Sequence, residues 1–261
     1  TGSKMIEELN NSSTDTENNL SLQVISAISE KDTTKLNTLS ENNKEQIDTL
    51  TQSAVKNAGS SQESADLIAQ VVANASDDFA NQIIGEVTKN SIDENQALSA
   101  KVMKSIVETT PDKVENLSDE NKDKLISQTI EAAKNQAEGT SSDELDLSNT
   151  IAEIVTNSDT GTAAKVLEFL EEATTDSDSK LSLSVVSNLT KQENYEEKME
   201  ILSVTSSVVD QSINKLIEKA VENASSEEDL ELVTDIVENS KGTIGDKIVN
   251  SANKSEESKK K

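Results

Sequence analysis

Apolar residues recur along this chain in stripes of helical period. Leu67, Ile68, Val71, Val72 and Ala75 fall at i, i+1, i+4, i+5 and i+8, and Phe79, Ala80, Ile83, Ile84 and Val87 repeat that spacing. Each set draws one apolar face on a helix of about 3.6 residues per turn. Alternation of period two occurs only in fragments such as Leu20-Ser21-Leu22, which the helical template also accommodates. The pattern predicts helices and no strands.

The pattern is also repeated. Around Leu20, Leu98 and Leu181 the chain reads NNLSLQVISAI, NQALSAKVMKSI and DSKLSLSVVSNL. Residues 38–57 (TLSENNKEQIDTLTQSAVKN) correspond to residues 116–135 (NLSDENKDKLISQTIEAAKN), 78 positions on. Ser60-Ser61-Gln62-Glu63, Ser141-Ser142-Asp143-Glu144 and Ser225-Ser226-Glu227-Glu228 follow at intervals of 81 and 84. A unit of roughly eighty residues thus occurs three times, over 18–94, 95–177 and 178–252.

Breaks between stripes carry their own chemistry. Ser60, Ser141 and Ser225 each precede a glutamate by three positions, the spacing at which a serine hydroxyl and a glutamate satisfy each other's backbone amides. Thr110-Pro111 reads as a cap followed by proline in the first turn, where the missing donor costs nothing; Asp32-Thr33 stands at the matching place in the first unit. Gly59 and Gly139 fit helix ends. These signals predict about five short helices per unit, in the first near 19–30, 32–39, 41–57, 61–74 and 76–90. Val204, Val208, Val209 and Ile213, followed by Leu216-Ile217, suggest a longer middle helix in the third unit.

The valines Val24, Val71, Val102, Val155, Val185 and Val237 mark equivalent helices, with spacings alternating between about fifty and about thirty. Short amphipathic hairpins in series bury their faces by stacking on their neighbours. The expected fold is therefore all-α, a right-handed helical-repeat solenoid of short helices resembling HEAT and armadillo stacking. Residues 1–17 and 253–261 lack a sustained apolar period and are expected to be disordered. Stack ends expose an apolar face unless capped, which makes head-to-tail self-association an expectation.

Composition narrows the chemistry. Leu, Ile, Val and Phe make up 61 of 261 residues, with two Phe, one Tyr and no Trp, so the core is thin and aliphatic. The chain has no Cys, no His and no Arg. Thiol and zinc-thiolate chemistry is removed, as are the commonest general base and the bidentate phosphate fork. A formal charge of -26 repels nucleic acid and anionic membranes. No apolar run approaches the ~20 residues of a bilayer span.

Acidic clusters are the candidate site-formers. Asp176-Ser177-Asp178-Ser179 alternates oxygen ligands, but Lys180, Leu181 and Ser187 stand where a calcium loop needs its third ligand, glycine and glutamate. Asp143, Glu144 and Asp146, and Glu227, Glu228 and Asp229, sit at helix starts, where the macrodipole favours negative charge without a ligand. Tyr195 is expected to be solvated or partly packed, and Phe79 and Phe169 to be core. No catalytic, cofactor-binding or metal residue is assigned, and no enzyme activity is expected. The sequence points to a non-catalytic scaffold or spacer, part of a larger protein, presenting an acidic surface to a basic protein or peptide. The alternative is an extracellular or envelope-associated stalk whose carboxylates bind divalent cations.

Overall fold

Many of the Ser and Thr hydroxyls are satisfied within their own helices, although those of Thr51, Thr162, Ser182 and Ser187 are buried without a hydrogen-bond partner among the described residues. Thr49, Thr109, Thr129, Thr150 and Thr174 donate to the carbonyl four residues earlier at 2.7 to 3.0 Å. Buried hydroxyls so paired carry little desolvation penalty.

The structure, a computed structural model, describes Lys4, Glu8 and residues 20–59, 61–90, 96–139, 145–175, 180–205, 207–222, 224, 226–240, 245–247 and 249–250. Among these residues the fold is all-α, with no strand. The expectation of disorder over 1–17 and 253–261 lies outside the described residues, apart from Lys4 and Glu8, which are helical. The helices are α1 (Leu20–Lys31), α2 (Thr33–Asn42), α3 (Lys44–Asn57), α4 (Gln62–Asn74), α5 (Asp77–Asn90), α6 (Gln96–Thr109) and α7 (Asp112–Glu115). They continue with α8 (Asp119–Ala137), α9 (Leu147–Asn157), α10 (Thr160–Thr175), α11 (Leu181–Thr190), α12 (Tyr195–Thr205), α13 (Ser207–Glu222) and α14 (Glu227–Asn239). In the first unit all five expected helices are present, each within three residues of its expected bounds at either end.

Two compact units divide the chain, Thr1–Thr129 and Ile130–Lys261, with the boundary inside α8. In the first unit, α4 packs between α1 and α6, and α3 packs against α5 as a second layer. Ile68, Val71, Val72, Ile84, Val102, Met103 and Ile106 are wholly buried between them. In the second unit, α11 packs between α9 and α14, and α10 packs against α13. Ile151, Ile154, Val155, Leu181, Leu183, Val185 and Leu202 form its dry centre. Each fully buried Leu, Ile or Val contributes about 1.5 to 3 kcal/mol, so a thin core suffices when its members are dispersed over many contacts.

The helix ends refine the expected punctuation. Gly59 and Gly139 follow α3 and α8 with φ of 60° and 71°, the left-handed conformation that lets a helix stop without a Cβ clash. The expected serine caps are shifted by one residue. Ser61, not Ser60, caps α4 by accepting from the Ser64 amide at 3.1 Å. Ser226, not Ser225, caps α14 in a reciprocal box with Asp229, so aspartate replaces the expected Glu228. Asp146 caps α9 through the Asn149 amide at 3.0 Å, while Ser141 lies outside the described residues. A doubled serine offers two registers, and in both helices the second serine is the cap.

Asp32 caps α2 through the Lys35 amide at 2.9 Å, but Thr110 makes no such bond. Pro111 takes helical angles at the head of α7, which is only four residues long. The middle helix of the third unit, α13, has 16 residues, longer than the 14 of α3 but shorter than the 19 of α8.

Candidate interaction surface

Two of the carboxylates singled out in the sequence, Asp146 and Asp229, are engaged at helix starts. Asp146 is a cap, and Asp229, 1 % exposed, accepts from the Ser226 amide at 2.8 Å and meets the Lys180 ammonium at 2.8 Å. Glu227 opens α14. Asp143, Glu144, Asp176, Ser177, Asp178 and Ser179 lie outside the described residues. Among the described residues no three acidic side chains converge on a point fit for a metal ion, and no helix is long and apolar enough to cross a membrane.

Tyr195 is buried, its hydroxyl donating to the Asn239 carbonyl at 3.0 Å. Phe79 is core, whereas Phe169 is only half-buried and its neighbour Leu170 takes the interior position. The buried stripe of α10 runs through Ala163, Val166, Leu167 and Leu170, so Phe169 is not the core residue expected.

The polar framework has a feature that residue spacing did not reveal. Lys113 of α7 donates to the Ala75 carbonyl at 2.7 Å, just past the end of α4, and pairs with Asp77 at 3.3 Å. Lys198 of α12 donates in the same way to the Ser158 carbonyl, just past the end of α9. Burial pushes the Lys198 ammonium pKa down, and the charge of Asp159 partly opposes that shift. A helix C-terminus leaves unpaired carbonyls and a partial negative charge, and an ammonium satisfies both. The same tether thus occurs once in each compact unit.

Layer contacts match as well. On the α4–α6 seam, Ser105 donates to Asp66 at 2.7 Å and receives Gln62 at 3.1 Å. On the α9–α11 seam, Asn188 donates to Ser148 at 2.9 Å and Gln192 to Asn149 at 3.1 Å. Aligned by their C-caps Ala75, Ser158 and Ser240, α4, α9 and α14 place Asp66, Asn149 and Glu231 at one position. They place Val72, rather than the expected Val71, with Val155 and Val237 at another.

Exposure separates these helices. Val72 and Val155 are fully buried, but Val237 is 45 % exposed; Ala65 is buried, but Leu230 at its position is 58 % exposed. A shallow groove runs along this face between Glu227, Leu230, Glu231 and Thr234. At the other end of the sequence, Leu20 is 43 % exposed while its counterparts Leu98 and Leu181 are buried. Ile201 and Val204 of α12 are exposed too, Val204 at 83 %, beside the exposed acids Glu196, Glu197 and Glu200.

No protein-family model and no curated protein matches the chain. A solved structure described as "Computational Design of Self-Assembling Cyclic Protein Homooligomers" aligns over 98% of this chain and 94% of its own, at 15% identity and a TM-score of 0.18. A likeness of that order carries no argument about fold or role.

Proposed function

We infer that the chain is a non-catalytic helical-repeat scaffold or spacer, a right-handed stack of the HEAT or armadillo kind that offers an acidic surface to a protein partner. The observation that carries this reading is the recurrence of one packing arrangement, down to the lysine tether, in each compact unit. Stacked equivalent helices present equivalent side chains at regular intervals, which suits an extended ligand. The charge of -26 with no arginine favours a basic peptide or protein segment.

The test is calorimetric titration with a lysine-rich peptide in low salt. Saturable binding that weakens as salt is raised supports the reading, and absence of heat at millimolar peptide contradicts it. The stalk alternative rests on the charge of -26 together with the acidic runs at unit boundaries, such as Asp176-Ser177-Asp178. An unchanged melting temperature in millimolar calcium disposes of it.

A further inference from the structure

The two exposed helix faces are complementary halves of a contact the chain already makes internally. In α6 and α11, Leu98 and Leu181, Val102 and Val185, and Ile106 and Leu189 lie buried in the layers where α6 packs on α4 and α11 packs on α9. The corresponding residues of α1 are Leu20, Val24 and Ile28, of which Leu20 is exposed and the other two half-buried. The face of α4 and α9 that receives these helices corresponds on α14 to Leu230, Val233, Thr234 and Val237. None of these four is buried. One face thus lacks the helix that should lie on it, and another lacks the helix it should lie on.

The polar positions match as well. Gln192 meets Asn149 across the α9–α11 seam; the same two positions carry Lys31 in α1 and Glu231 in α14, an opposite-charge pair, both exposed. Lys113 and Lys198, which satisfy the carbonyls beyond α4 and α9, correspond to Lys35 in α2. Lys35 is exposed. The carbonyl at the matching position beyond α14 is that of Ser240.

We propose that the protein associates head to tail with a second copy of itself, α1 of one molecule seating on α14 of the next as α6 seats on α4 and α11 on α9. Leu20, Val24 and Ile28 cover Leu230, Val233 and Val237; Lys31 pairs with Glu231; Lys35 caps the Ser240 carbonyl. This rests on the stacking reading above. The contact is heterologous, so each molecule keeps one unused face at either end of an oligomer. A single helix pair buries less than the ~1,200 Å² of a standard interface, so association is weak and grows with concentration.

Sedimentation equilibrium of the full chain in about 0.15 M salt, where the Debye length is about 8 Å, tests the proposal. The weight-average mass rises with concentration from that of a monomer. Leu230→Glu/Val237→Glu blocks one face and Leu20→Glu/Ala27→Glu the other. Each alters only exposed side chains, and circular dichroism checks that each remains helical. Each variant alone loses association by about tenfold or more, and an equimolar mixture of the two forms a dimer and nothing larger, since one intact face of each kind remains. Lys31→Glu and Glu231→Lys each weaken association, and the double reversal restores it. A full chain that stays monomeric at millimolar concentration overturns the proposal. So does a blocked variant that still dimerises with itself, or a mixture that fails to pair. The stacking reading is tested separately by intramolecular distances in dilute monomer, so either can fail alone.

Discussion

Lys113 shows how one side chain fixes two elements: its stem lies part-buried and its ammonium meets a helix-end carbonyl. Replacing it by methionine keeps most of the stem but leaves the Ala75 carbonyl without that donor, costing about 1 to 2 kcal/mol. Urea denaturation of Lys113→Met measures this loss. Lys35→Met, at the corresponding but exposed position, leaves the dilute monomer within ~0.5 kcal/mol of the parent. Lys198 adds a pH signature. Its pKa is lowered by burial, so the folded chain holds that proton less tightly than the unfolded chain. Below the folded pKa both states are protonated and the penalty is full. As pH rises from there toward the ordinary lysine value, unfolding takes up a proton, so this group's contribution to stability increases. The melting temperature of the parent minus that of Lys198→Met therefore shifts in the parent's favour between pH 7 and pH 10; a shift the other way contradicts the burial argument. None of this was legible in the sequence. Lysines are abundant, and only the packing brings residues 38 and 40 positions apart together.

Helix punctuation was partly legible. Gly59 and Gly139 announced their positive φ because few other residues tolerate it. Gly59→Ala should cost about 1 kcal/mol by thermal denaturation, although nothing lies within 4 Å of the added Cβ. Capping serines were located to within one residue and no closer, since Ser60-Ser61 and Ser225-Ser226 present equal chemistry. Ser226→Ala removes the hydroxyl that the Asp229 amide needs and should lower stability by about 1 kcal/mol, read from the urea midpoint. Thr110 misled because the Lys113 amide bonds its carbonyl, at 2.9 Å, and not its hydroxyl. Phe169 misled because the interior stripe of α10 runs through Ala163, Val166, Leu167 and Leu170, which leaves position 169 at its edge.

At the scale of the molecule, periodicity identified an all-α chain because a thin, regularly spaced apolar stripe has one good solution. The valine series picked out the helices that share a layer in each unit: α1, α4 and α6 in one, α9, α11 and α14 in the other. It treated Val237 as equivalent to Val155, and the two differ only in that Val237 remains exposed. Sequence equivalence reports what a position is built to bury, while exposure reports whether the partner is present. That difference at α1 and α14 is the basis of the self-association proposed above. The central claim is that equivalent helices stack in order along one layer within each unit, with α4 between α1 and α6 in the first. The parent chain has no cysteine, so spin labels can be placed at the equivalent positions Lys31→Cys of α1 and Thr109→Cys of α6 without competing thiols. With neighbouring helices spaced ~8 to 10 Å apart, two steps separate α1 from α6. Electron spin resonance distance measurement, with labelled protein diluted into unlabelled, should give roughly 15 to 25 Å. A distance below about 12 Å, which puts α1 directly against α6, or above about 35 Å, which separates them altogether, would contradict the stack.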